Sequence, residues 1–391
     1  MKRRYRYLLG PILALSLLMG GCIRPRSVER FGYVLAIGLD EGIQLPYRVT
    51  LMLQKAPSGA GEAKGGGFSL AGAECGNLYE AVETLTANLP FLLDFSRTVM
   101  VVISDSLLGS GNTTFRGLME GDYGDLRMRS GIHVMIALGE AKKALEGLES
   151  EFDLNVARIQ QKLSSYSRES GLIPVTSVAQ LKEALLGKTF DGALPLMGVS
   201  QKEDTRGVAD STGEHRYAYM GGRMLVEGGM DAGIMGTALL SGQQLCGILD
   251  GRNTQLLLMG AGKFSSGRMT LDLGGGQEAV VLLERRRGIS RKLDLKTGQV
   301  QVTIPLRARL EWSASELTLS KEELEERIAA VLVRELEELF ATLQALNCDA
   351  MGFGKLAVQS FSDLSGWEAY DWKGAYQKLR GTFSPSVVLE G

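Results

Sequence analysis

The chain has 391 residues, of which 45% are apolar and 23% charged, enough for two or three domains with ordinary cores. Its 43 Lys and Arg against 45 Asp and Glu give a formal net charge of -2, without the clustered basic excess of a nucleic-acid-binding chain, so no nucleic-acid partner is expected. The two histidines, His133 and His215, and the four cysteines, Cys22, Cys75, Cys246 and Cys348, include no Cys-x-x-Cys spacing. That is poor material for a metal centre or a His-based triad, and neither metal nor cofactor is expected.

Lys2, Arg3, Arg4 and Arg6 precede an apolar run from Leu8 to Met19, which Gly20, Gly21 and Cys22 close. A positive head, a short apolar core and small residues before the cut mark a secretory signal, and a cysteine directly after the cut adds lipid attachment. Residues 1–21 read as a signal peptide and Cys22 as the site of lipidation, with an ordinary cleaved signal as the alternative. The run is short for a membrane helix, which needs about 20 apolar residues. Residues 22–30, polar and containing Pro25, form a tether. With Cys22 carrying lipid, Cys75, Cys246 and Cys348 remain, either as three buried thiols or as one disulfide plus one thiol.

From residue 31 the apolar period becomes two. Phe31, Tyr33, Leu35, Ile37 and Leu39 alternate with smaller residues, Asp40 to Gly42 supply a turn, and Tyr47, Val49, Leu51 and Leu53 resume the alternation, predicting paired strands. Ala56 to Gly67 is a Gly/Ala/Ser loop without the Lys-Ser/Thr of a phosphate loop. Asn77 caps a helix from Leu78 to Leu89, stopped by Pro90. Val99 to Ile103 is an unbroken apolar run, as in a strand covered on both faces. A strand over Ile132–Leu138 and helices over Glu140–Leu148, Asp153–Arg168 and Val178–Leu186 follow, the last capped by Thr176 or Ser177. His133 lies across the strand from Ile132, Val134 and Ile136, in a structural rather than a catalytic setting. The interleaving predicts an α/β (α+β) domain over residues 31–200, with helices on a mixed sheet.

Lys202 to Glu214 is a polar linker, and a second domain is expected over 215–391, with a candidate sub-division near 275–288. It opens with a hairpin over Gly236–Leu249, followed by Asn253–Met259. Gly260, Gly262 and Lys263 lack the remaining residues of a nucleotide loop. Arg285, Arg286, Arg287, Arg291 and Lys292 read as a solvated strand end, with contact to anionic headgroups as the sharper alternative. Val300, Val302, Ile304, Leu306, Ala308, Leu310 and Trp312 alternate without a break. Ser320 and Glu323 form a capping box opening a helix of ~26 residues, ~39 Å long. Its stripe of Leu324, Ile328, Val331, Leu332, Leu336, Leu339, Phe340 and Leu343 should lie across an antiparallel sheet. Its carboxylates, Glu322 to Glu338, are a solvated face. Asn347 ends the helix, Asp349, Gly352, Phe353 and Gly354 follow, and Thr382–Leu389 is a last strand.

Several of these segments resemble one family. Gly21-Cys22, the strand ending in Ile37, Gly38, Leu39 and Asp40, the stretch Phe95–Ser104, and Asp349, Gly352, Phe353 and Gly354 after the long helix are similar to GerC-type germination lipoproteins, the C subunits of spore germinant receptors. The family commonly has Ser-His where this chain has Ser96-Arg97, and Trp-Asp where it has Ile23-Arg24. The resemblance implies a non-enzymatic receptor subunit, lipid-anchored on the outer face of the spore's inner membrane and associated with integral membrane A and B subunits. The rival class is a lipid-anchored extracytoplasmic solute-binding protein, although such proteins usually show two lobes of repeated βα units. A secreted hydrolase lacks its Gly-x-Ser-x-Gly elbow here.

Overall fold

The computed structural model describes residues 31–54, 67–109, 128–129, 131–148, 156–200, 220–224, 228–314 and 319–390. The leader, Cys22, the tether, the Gly/Ala/Ser loop apart from Gly67, the 202–214 linker and His215 lie outside the described residues.

Two sheets organise the chain. The first has nine strands: β1 (Phe31–Glu41), β2 (Tyr47–Gln54), β3 (Phe68–Cys75), β4 (Leu92–Asp94), β5 (Met100–Ser104), β6 (His133–Leu138), β7 (Gly192–Val199), β8 (Ala232–Ser241) and β9 (Gln244–Leu249). Their order is β3-β2-β1-β5-β6-β7-β8-β9, with β4 pairing β1. The central strands β1, β5, β6 and β7 are parallel, and antiparallel hairpins extend both edges. The hairpin at 232–249, expected in the second domain, is therefore an edge of the first sheet: β8 pairs with β7 from Gly192 to Val199.

Helices cover both faces. On one face α1 (Leu78–Asn88), α2 (Asp105–Gly109) and α5 (Val178–Leu186) pack on branched residues such as Ile37, Leu51, Val101, Ile103, Val134, Ile136 and Leu196. On the other face α3 (Ala141–Glu146) and α4 (Val156–Ser170) meet a flatter surface of Ala36, Met52, Met100, Val102, Met135, Ala137 and Met197. Burial on both sides produces the unbroken apolar run seen in β5, all of whose residues are buried. The alternation expected in β1 slips. A register shift between Val34 and Ala36 puts Val34, rather than Leu35, on the face shared by Ile37 and Leu39, because an irregularity in the ladder moves the pleat out of phase. Asn77 caps α1 through Glu80 N–H, and Ser177 with Gln180 forms a capping box on α5.

The Ile37-Gly38-Leu39-Asp40 segment seats α3. Glu140, at the helix's N-cap position, makes no side-chain cap. Asp40 does so from β1, accepting the Ala141 and Lys142 N–H groups at 2.6 and 3.0 Å. Its carboxylate is buried, and burial raises its pKa despite those two bonds. At Gly38 a Cβ would stand 3.0 Å from Leu145 Cδ1, so the glycine allows α3 to lie close on the strand.

After β9, α6 (Gly251–Gly260) occupies the 253–259 stretch, capped by Asp250 through Asn253 N–H. The second sheet contains β10 (Ser266–Asp272), β11 (Glu278–Arg285), β12 (Ser290–Asp294), β13 (Gln299–Ser313) and β14 (Arg380–Leu389). β11 and β12 lie end to end along one edge of β13, and β14 lies along the other. The expected antiparallel sheet is corrected at β14, which runs parallel to β13, since the intervening helices return the chain to its starting end. Between these strands come α7 (Lys321–Ala345), α8 (Gly354–Ala357), a 3-10 turn at Val358–Ser360, α9 (Leu364–Ala369) and α10 (Trp372–Tyr376).

α7 carries the expected capping box, and all eight stripe residues are buried. In β13, Val300 to Ala308 alternate into the core, but Leu310 and Trp312 are 38% and 53% exposed. The register shift opposite them, between Val280 and Val281, accompanies this loss of phase.

Candidate functional site

The signature after the long helix stands where the two sheets meet. Asn347 ends the helical region with φ 48° and Gly352 has φ 74°, a left-handed conformation that asparagine tolerates and glycine adopts without strain. Gly354 is required by contact: a Cβ there would fall 2.4 Å from Thr189 O and 2.8 Å from Trp372 Nε1. Between them Asp349 is fully buried. Its carboxylate accepts the Phe353 and Gly354 N–H groups at 2.8 and 2.7 Å, opening α8 as Asp40 opens α3.

Asp191, just before β7, joins this loop to the first sheet. Its N–H donates to Asp349 O at 3.1 Å, and its Oδ2 accepts Asp349 N–H at 2.6 Å. The same Oδ2 accepts Lys373 Nζ from α10. Lys373 also donates to Ser241 Oγ at 2.9 Å and Asn347 O at 2.8 Å, so one ammonium touches the end of β8 and the exit of α7. Burial raises the Asp349 pKa to about 7, the Phe353 and Gly354 N–H bonds opposing the shift and the nearby Asp191 charge adding to it. Asp349 is thus costly to ionise where it stands.

Arg291 corrects the reading of its basic cluster as a solvated strand end. Arg285, Arg286 and Arg287 are exposed, but Arg291 donates to Met351 O at 2.7 Å and Ala261 O at 3.3 Å, with its guanidinium 4.7 Å from the Phe353 ring centroid. Burial lowers its pKa. Phe353 is fully buried and meets Phe340 edge-on, while Tyr376 OH donates to Cys348 O at 3.0 Å. An outer tie, Lys355 to Glu183 at 2.9 Å, has both side chains about half exposed and contributes little.

The predicted signature residues Asp349, Gly352, Phe353 and Gly354 therefore belong to one junction, with Asp191, Ser241 and Lys373 as partners that the sequence did not disclose. No local pattern marks these three, because each bonds to a residue remote in sequence. His133 sits elsewhere, buried in β6 with Nε2 3.5 Å from Ser164 Oγ and its pKa lowered by burial. Among the described residues no group of three or more His, Cys, Asp or Glu is placed to hold a metal ion. Among them, too, no helix is long and apolar enough to cross a membrane. The junction's chemistry is that of a polar clamp, in which the Asp191–Lys373 ion pair, the buried Asp349 carboxyl and the backbone groups they bond fix one sheet against the other.

A mixed α/β chain with two sheets locked by this clamp defines a class that known families identify. Residues 25–199 match the family described as spore germination protein N-terminal domain, and residues 235–390 match that described as spore germination B3/GerAC like, C-terminal. In order and together these span most of the chain, which belongs to the GerAC family of spore germination proteins. The crystal structure of the GerBC protein is similar in fold, with a TM-score of 0.50 and 13% identity over 91% of this chain and 97% of that one. No curated protein matches the chain. The resemblance to GerC-type proteins is borne out, as is the mixed α/β fold class.

Proposed function

We propose that the protein is a non-enzymatic subunit of a nutrient germinant receptor. It is anchored by lipid at Cys22 to the outer face of the spore's inner membrane and assembled there with integral membrane A and B subunits. The observation that carries the reading is the ordered match of both germination families, at 25–199 and 235–390. The clamp supports it: Asp191, Asp349 and Lys373 are engaged with one another and with backbone instead of being aimed into a cleft, as a solute-binding protein requires. A diacylated cysteine suits such a subunit, because each buried methylene contributes about 0.8 kcal/mol and two chains hold stably where one does not. Tethering then raises the local concentration toward the millimolar range, so that a weak contact with membrane partners is mostly occupied.

Affinity purification of the tagged chain from spore membranes tests this reading. Recovery of A and B subunits is expected, and a Cys22→Ala chain should leave the membrane fraction while remaining folded. Recovery of a transporter permease in their place would establish the solute-binding alternative.

A further inference from the structure

Two thiols meet beside the clamp. The β8–β9 ladder slips between Leu239, opposite Gly247, and Leu240, opposite Leu245, leaving Cys246 as the extra residue of β9. Such a slip re-aims a side chain. Cys246 Sγ donates to Leu239 O at 3.4 Å, and Cys348 Sγ, from the loop after α7, donates to Leu240 O at 3.8 Å. The carbonyls of two consecutive residues of one strand thus hold the two sulfurs, and Cys246 packs against the same apolar cluster that contains Cys348. Cys348 is fully buried and Cys246 half-buried, and both are free thiols in this structure. Cys75 belongs to a different core cluster, where burial pushes its thiol up to about 11.

We propose that Cys246 and Cys348 are a disulfide-forming pair that ties the β8–β9 hairpin of the first sheet covalently to the exit of α7 in the second. The oxidant is a disulfide-bearing molecule, RS–SR. Cys246 gives up its proton and attacks one sulfur of RS–SR, forming a Cys246–S–SR mixed disulfide and expelling RS⁻, which takes up that proton. Cys348 then attacks the Cys246 sulfur, and its proton leaves with the second RS⁻. Two protein thiols are oxidised and one RS–SR is reduced to two RSH. The order follows from access: Cys246 is half-buried and within reach of RS–SR, whereas Cys348 is fully buried. The bond brings the two sulfurs to about 2.05 Å.

Oxidation in the cell requires a compartment where disulfides persist, and to that extent rests on the extracytoplasmic placement proposed above; the chemistry itself does not. Full-length protein in detergent micelles is treated with cystamine, alkylated, digested without reduction and mapped by mass spectrometry. A Cys246–Cys348 cross-linked peptide is expected, with Cys75 still alkylated and the link removed by dithiothreitol. The oxidised protein should melt at a higher temperature than the reduced one, and the difference should vanish in Cys246→Ser. Three alkylated cysteines, or a lasting mixed disulfide on Cys246 with Cys348 still free, would overturn the proposal, and neither reading depends on a variant that folds. A cross-link in the purified protein, with free thiols in protein quenched directly from spores, supports the pair and overturns the placement.

Discussion

The nine-stranded and five-stranded sheets carry their information differently. In the first, the central strands β5, β6 and β7 are buried on both faces and read as apolar runs, with a branched Ile/Leu/Val side and a Met/Ala side, and nothing in such a run names its neighbours. In the second, β13 buries every other residue from Val300 to Ala308 under α7 and its partner helices. Its direction of burial is visible in the sequence. The difference teaches that a sheet covered on one side announces its face, whereas one covered on both must have its faces assigned by the helices that reach it. Between the two, Asp191 pairs with Lys373 and accepts the Asp349 N–H, a contact that neither sheet's pattern contains.

Three experiments bear on this contrast. The largest effect is expected at Leu332, fully buried on the α7 stripe: Leu332→Asp puts an unpaired charge in the second core and should cost about 4 kcal/mol or more. Chemical denaturation that leaves the first sheet's transition in place while abolishing the second would show two separable cores; one common loss would show that the junction makes them a single unit.

The junction itself can be read through pH. Asp349, with its pKa raised to about 7 from an ordinary 3.8, keeps a proton in the folded state that the unfolded chain gives up. Its stabilising contribution is full below the unfolded pKa and is lost as pH rises through the folded one. A neutral Asn imitates the protonated form. Wild-type stability should therefore fall relative to Asp349→Asn between about pH 4 and pH 7, by on the order of 3 kcal/mol. Urea midpoints of both proteins across that window check it, and a difference independent of pH would mean that the carboxylate is ionised at no cost.

The smallest effect belongs to the first sheet alone. Asp40→Ala removes the cap that β1 lends to α3, at a cost of about 1–2 kcal/mol. Hydrogen exchange at the Ala141 and Lys142 amides should accelerate, while the amides of α7 remain protected. Unchanged exchange at α3 would show that its packing under Gly38 suffices.

The amino-acid order by itself determined what depends on neighbours a few residues away. The Asn77 and Ser320 caps, a cap at Thr176 or Ser177 that the structure assigns to Ser177, the eight-residue stripe of α7 and the alternation of β13 as far as Ala308 were legible because period and capping are local. So was the resemblance of Asp349, Gly352, Phe353 and Gly354 to a family signature, although not what those residues touch. Tertiary structure alone decided that 232–249 pairs with β7, that β14 is parallel to β13, and that Leu310 and Trp312 fall out of phase. It also decided that Asp40 caps a helix far along the chain and that Lys373 meets Asp191. Strand pairing and ionic contact between remote segments depend on which surfaces the packed cores bring together, and that juxtaposition leaves no period or spacing in the chain to be read.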